Sequence, residues 1–159
     1  MKIRKVIEDD YTDILKLQLQ LEDVEIGFDN NLRSHCYETE KGKQKLKTRI
    51  NNQNNIFYVA INDDNELIGF IDGNIPDDEW WYKDKVAYIN HLCVEEKHRR
   101  LGVATKLLYC FEKTAKENGA KYIRLLAFSK NKPAITFYKN NNFMEYSTYY
   151  NKTILWCLI

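Results

Sequence analysis

The chain has 159 residues, 44% of them hydrophobic and 30% charged, with 24 Lys and Arg against 23 Asp and Glu. That length suits one domain with a single sizeable core, and a net charge of +1 argues against a generally basic nucleic-acid binder. Cys36, Cys93, Cys110 and Cys157 form no CxxC pair, and the opening MKIRKVIEDD has no apolar signal core. A reducing, cytoplasmic setting with buried thiols and no membrane span is expected.

Lys2 to Ile7 alternates as a strand. Asp9 and Asp10 are placed to cap a helix in which Ile14, Leu17, Leu21 and Val24 recur at three- and four-residue spacing. Residues 25–42 are polar and irregular, and Lys43 to Asn52 patterns as a second helix. Both regions precede the sheet and are expected to form a lid. A hairpin follows: IFYVAI (Ile56 to Ile61), the turn-forming NDDN (Asn62 to Asn65), and Leu67 to Ile75 with Gly69 and Gly73. Pro76 to Glu79 breaks the pattern before Trp80, Trp81 and Tyr82, and VAYINHLCV (Val86 to Val94) is the next strand.

Val103, Leu107, Leu108 and Phe111 then lie on one face of a helix that stops near Asn118-Gly119. Tyr122 to Phe128 is nearly continuous in apolar character, as a strand covered on both faces is. Pro133 suits the first turn of a short helix through Tyr138 and Lys139. Phe143 to Tyr149 and Thr153 to Leu158 are expected to pair as a final hairpin. No repeat, low-complexity tract or linker interrupts the chain. The order β-α-α-β-β-β-α-β-α-β-β predicts one mixed α/β domain over residues 1–159.

The stretch HRRLGVATKLL (residues 98–108) places a glycine where a helix begins. The first N–H groups of a helix lack intrahelical partners, and the helix dipole adds positive character. Gly102 and Ala104 leave that end open, and Arg99, Arg100 and Lys106 add formal charge. A strand, a tight loop and such a helix start describe a phosphate or pyrophosphate cradle. Neither GxxxxGK[ST] nor GxGxxG is present.

The pattern Arg-x-x-Gly-x-Ala at 99–104 resembles the acyl-CoA motif of the GNAT superfamily of N-acetyltransferases, written Gln/Arg-x-x-Gly-x-Gly/Ala. Asn131, Ala134, Phe137-Tyr138 and Asn142-Phe143 match a second, later motif in order and spacing. Asn142 stands where a glycine is usual, and Asn tolerates the left-handed conformation better than most residues.

The resemblance implies a GNAT fold: a mixed, mostly antiparallel twisted sheet of about seven strands flanked by about four helices. It implies that the amides of Arg100, Leu101, Gly102, Val103, Ala104 and Thr105, with Arg99, hold the pyrophosphate of acetyl-CoA. The backbone of Leu92, Cys93 and Val94 would pair with the pantetheine arm, and a bulge there would splay the strand from Tyr122 to Phe128. An N–H freed near Leu92 or Cys93 would polarise the thioester carbonyl. Asn131 would bond the cofactor or serve only as a turn residue. Tyr138 would protonate the departing CoA thiolate, a role its protonated phenol suits. No metal is implied.

The general base stays open. Tyr88 and Asn90 share a strand face; strand alternation sends His91, of suitable intrinsic pKa, to the other unless a bulge alters it, and a single strand histidine is more often structural. Asp72 is the remaining candidate or else a solvated edge charge. Asp77, Asp78 and Glu79 beside Trp80, Trp81 and Tyr82 suit a cationic amine, as do Asp23, Glu25 and Asp29; a solvated loop with packed tryptophans is the competing reading. The expected reaction is acetyl transfer from acetyl-CoA to a small cationic amine by direct attack. Acetylation of a protein or peptide amine and a non-catalytic CoA-binding regulatory domain are the alternatives. Homodimerisation, common in the family, is left open by the sequence.

Overall fold

A computed structural model describes residues 1–77 and 80–152. Five strands form one sheet in sequence order: β1 (Lys2–Lys5), β2 (Asn55–Ile61), β3 (Leu67–Asn74), β4 (Val86–Val94) and β5 (Tyr122–Leu125). The first three pairings are antiparallel, and β4 pairs β5 in parallel. Four α-helices cover it: α1 (Tyr11–Ile26), α2 (Glu40–Asn51), α3 (Val103–Glu117) and α4 (Lys132–Asn140).

The sheet separates two apolar layers. Val103, Leu107, Leu108, Phe111 and Ala115 of α3 pack on Ile56, Ala60, Ile71, Ala87 and Ile89. On the other face, Ile14 and Leu17 of α1 and Leu46 and Ile50 of α2 pack on Phe57, Val59, Phe70 and Cys93. Of the two regions expected to form a lid, the second helix is instead a structural layer, because Leu46 and Ile50 are buried. In α1 the buried stripe turns away from the apolar repeat. Val24 is exposed, while Gln18 and Glu22 are buried. Polar groups facing a core are costly unless they are paired, so they mark where the site lies.

Local chemistry fixes most element ends. Asp10 stands at the start of α1, but its carboxylate turns back to accept two Arg4 hydrogen bonds and the Ile7 N–H instead of capping the helix. The second helix starts earlier than its periodicity predicts because Thr39 Oγ1 accepts from the Gly42 N–H. Gly119, at φ 84°, closes α3.

Two expectations fail at the C-terminal side of the sheet. Pairing stops β5 at Leu125, three residues short of Phe128. The segment Phe143 to Tyr149 forms no strand, since it has no ladder partner among the described residues. Its expected partner, Thr153 to Leu158, lies outside them, and the described residues hold five of about seven expected strands. Asn142 adopts the left-handed conformation at φ 65°, as the motif requires.

Candidate active site

The register of β4 against β3 decides the site. Asp72 pairs with His91, but its neighbour Gly73 pairs with Ile89, leaving Asn90 as an extra residue. This β-bulge inverts side-chain alternation. Ala87 and Ile89 face α3, whereas His91 and Cys93 face α1 and α2. Alternation alone sends His91 away from Tyr88; the bulge brings it onto the same face and leaves Asn90 exposed, bonded to Asn74 at 3.3 Å. Gly73 makes the bulge possible. A side chain there would collide with the Tyr88 carbonyl and the Phe111 ring.

The bulge also opens the sheet. Pairing of β4 with β5 ends at Ile89 and Leu125, while pairing with β3 runs on to Val94. Asn90 to Val94 thus turn one backbone edge toward a widening gap, as a bulge before Leu92, Cys93 and Val94 predicts. Their side chains belong to the cores on either side. Burial pushes the Cys93 thiol up to about 12, which leaves it a packing residue. Because β4 and β5 are parallel, the chain leaving β5 emerges at this same end, and ligands of α/β sheets sit at carboxyl ends of strands.

The mouth of α3 meets the same gap. Arg99 Nε donates to the Val94 carbonyl at 3.1 Å and closes the connecting loop. Arg100 and Gly102 both take positive φ, 65° and 77°, turning successive N–H groups outward as in an anion nest. Among the described residues Lys106 is the first whose N–H finds a helical carbonyl, that of Gly102 at 3.1 Å. The amides of Leu101 to Thr105 therefore remain available, and a Cβ built on Gly102 would meet nothing within 4 Å. Open space before unpaired donors fits the diphosphate of a nucleotide thioester.

Across the gap, Asn131 Oδ1 accepts from the Ala134 N–H at 3.1 Å and caps α4, so its turn role is realised and only its amide N–H groups remain to reach a ligand. Tyr138 sits between the rings of Phe137 and Phe143, with centroids at 5.3 and 5.5 Å. Its hydroxyl bonds to no described residue, and burial pushes the phenol up to about 12. A phenol raised in this way stays protonated at neutral pH and keeps its O–H available as a donor.

Asp72 is no edge charge. It is fully buried and accepts two hydrogen bonds from Arg49 of α2, at 2.8 and 3.0 Å. Its Oδ1 also lies 2.9 Å from His91 Nδ1. The guanidinium of Arg49 is held in turn by the Tyr37 hydroxyl at 2.9 Å and Gln18 Oε1 at 3.3 Å. Burial pushes the carboxyls of Glu22 and Glu25 up; the His91 ring opposes this at Glu25. Sequence reasoning missed Arg49, Tyr37, Gln18 and Glu22, although Gln18 and Glu22 sit a turn apart on the inner stripe of α1.

The remaining acceptor candidates scatter. Tyr88 lies on the His91 face and hydrogen-bonds Arg124, whose guanidinium is sandwiched by Tyr82 at 3.9 Å and Tyr146 at 4.3 Å. The Tyr82 face expected to hold a ligand cation therefore holds the protein's own. Trp80 and Trp81 meet edge to face at 5.2 Å and are 86% and 73% exposed. Asp23 is exposed, Asp29 accepts from the Asn31 N–H, and Asp78 and Glu79 lie outside the described residues. Finally, Lys130 Nζ donates to the Phe28 carbonyl at 2.9 Å, and the Phe28 and Phe128 rings stand 5.9 Å apart. This ties the end of α1 to the loop leaving β5.

A splayed sheet beside a glycine-opened helix start defines an acyltransferase architecture of the kind the two motifs imply. Residues 24–143 match the Acetyltransferase (GNAT) family, and the chain belongs to that family of acetyl-CoA-dependent enzymes. An N-alpha-acetyltransferase of Sulfurisphaera tokodaii is 34% identical over 98 residues, 56% of each chain, so the match spans little more than half of that relative. A mutant protein of Bacillus halodurans shares the fold with a TM-score of 0.87 at 17% identity, covering 98% of this chain and all of its own. An aminoglycoside acetyltransferase from an uncultured soil metagenomic sample, solved with sisomicin, has a TM-score of 0.70 at 20% identity, covering 97% and 96%. At such identities the two structures show the fold. Among the described residues no helix is long and apolar enough to cross a membrane.

Proposed function

We propose that this chain, as one domain, transfers an acetyl group from acetyl-CoA to the primary amine of a small cationic acceptor by direct attack within a ternary complex. The observation that carries the acceptor class is the pair Glu22 and Glu25. Both carboxylates are drawn out of water, and among the described residues neither is paired with a Lys or Arg. A desolvated carboxylate with no Lys or Arg beside it gains when an ammonium arrives.

Bound acetyl-CoA supplies the activated acyl carbon. The amides of Arg100 to Thr105 would grip its diphosphate with Arg99, and the free edge of Leu92, Cys93 and Val94 would align its arm. One N–H of that edge would stabilise developing charge on the carbonyl oxygen. Tyr138 would hydrogen-bond the sulfur, and the spare amide of Asn131 would face the same gap. Asp72, Tyr88 and Asn90 would contribute to the acceptor side, and the exposed rings of Trp80 and Trp81 would offer faces to a cation.

The 34% identity to an N-alpha-acetyltransferase favours a second reading, in which the acceptor is the α-amino terminus of a protein. Thiol release from acetyl-CoA, measured with spermidine, an aminoglycoside and peptides with free N-termini, separates the two. Turnover confined to peptides selects the second reading. Coenzyme A binding with no turnover on any amine refutes both and leaves a binding domain.

A further inference from the structure

We propose that His91 is the proton acceptor for the incoming amine, with Asp72 and Arg49 as the residues that position it; this rests on the transferase reading above. The geometry starts from Arg49. Its guanidinium donates to both oxygens of a fully buried Asp72, so both oxygens serve as acceptors. An ionised carboxylate only accepts hydrogen bonds. The 2.9 Å contact between Asp72 Oδ1 and His91 Nδ1 therefore requires the proton on Nδ1, which leaves the lone pair on Nε2. Nε2 bonds to no described residue, and the ring keeps 22% of its side-chain surface exposed.

Position supports the role. His91 directly precedes Leu92, whose backbone begins the edge proposed to hold the thioester arm. The bulge at Asn90 is what sends both to the same site. The charged and titratable groups linked to the ring are Asp72 from β3, Arg49 from α2 behind it, Tyr37 on Arg49, and Glu25 from α1, which in turn feels Glu22; Tyr88 lies on its own strand. Glu25 and His91 feel each other electrostatically and make no ion pair within 4 Å.

The proton balance is simple. His91 Nε2 takes one proton from the acceptor's ammonium and passes it to solvent. The freed lone pair forms the C–N bond, and the thioester C–S bond breaks with its electron pair on sulfur. The second proton shed by nitrogen goes to that sulfur, which Tyr138 meanwhile hydrogen-bonds. Each turnover makes one amide and one thiol, and solvent gains one proton.

The test uses the full chain and the best acceptor from the amine panel. His91→Gln should lower kcat by about 10²–10³-fold at pH 7 with little change in KM. The deficit should shrink as pH approaches the amine's own pKa, where the amine deprotonates unaided; a merely damaged fold would show no such recovery. Asp72→Asn should lower kcat less and abolish the Nδ1–H tautomer seen by imidazole ¹⁵N NMR, where only His35, His91 and His98 contribute. Glu25→Gln should raise KM with little change in kcat at pH 7. Equal kcat for wild type and His91→Gln, a pH-independent deficit, or an Nε2–H tautomer in the wild type would each overturn the assignment. A wild type inactive on every amine would instead overturn the transferase reading itself.

Discussion

Gly102→Ala separates a turn glycine from a ligand-binding one. Its φ of 77° is left-handed, which costs an L-residue about 1–2 kcal/mol. Lower unfolded-state entropy returns about 0.4–1 kcal/mol. No heavy atom lies within 4 Å of the added methyl, so no collision adds to that, and the net loss should be about 1 kcal/mol. For a chain of this size that lowers Tm by about 2–4 °C. Coenzyme A binding should suffer more, because the methyl fills the space before the unpaired amides of Leu101 to Thr105. Losing one charge-assisted hydrogen bond is worth about 1.5–3 kcal/mol, or at least about tenfold in Kd. Gly102→Asn sharpens the contrast, since Asn tolerates this conformation yet blocks the same approach. Urea unfolding and calorimetry with coenzyme A measure the two effects. If both variants keep Kd within about twofold of wild type, the diphosphate does not sit in this cradle and the reasoning fails.

Three further outcomes follow from the same structure. Tyr138→Phe should leave stability within about 0.5 kcal/mol, because the hydroxyl has no described partner, while lowering kcat by at least about tenfold; an unchanged turnover removes Tyr138 from the reaction. Arg49→Met should cost about 3–5 kcal/mol by stranding the buried Asp72 carboxylate, and adding Asp72→Leu should restore part of that loss in urea titrations; a cost below about 1 kcal/mol would show that the pair is not buried as described. Stability should fall as pH rises from about 9 toward 12. Cys93 and Tyr138 are both pushed up to about 12 in the fold, so the unfolded chain loses their protons first, binds fewer protons than the native state, and gains relative to it. Alkylation at pH 8 should correspondingly spare Cys93 and modify the partly exposed Cys36 and Cys110.

The site divides according to the range of the interactions that build it. Sequence alone carried the start of α3 at Gly102 and the short helix holding Tyr138, because a helix start, its glycine and the Asn131 cap are local: their hydrogen bonds span only a few residues. It carried β2, β3, β4 and α3 for a similar reason, since burial on one face imposes a short period on the apolar residues. The tertiary structure alone decided the buried polar cluster on the α1–α2 face. Asp72, His91 and Arg49 meet across 19 and 23 residues of sequence, and no periodicity encodes a pairing between strands and a helix of another layer. The bulge at Asn90 is the clearest case. Strand alternation is a local rule that sent His91 to the wrong face, and only the register against β3, with Gly73 admitting the Tyr88 backbone, reverses it.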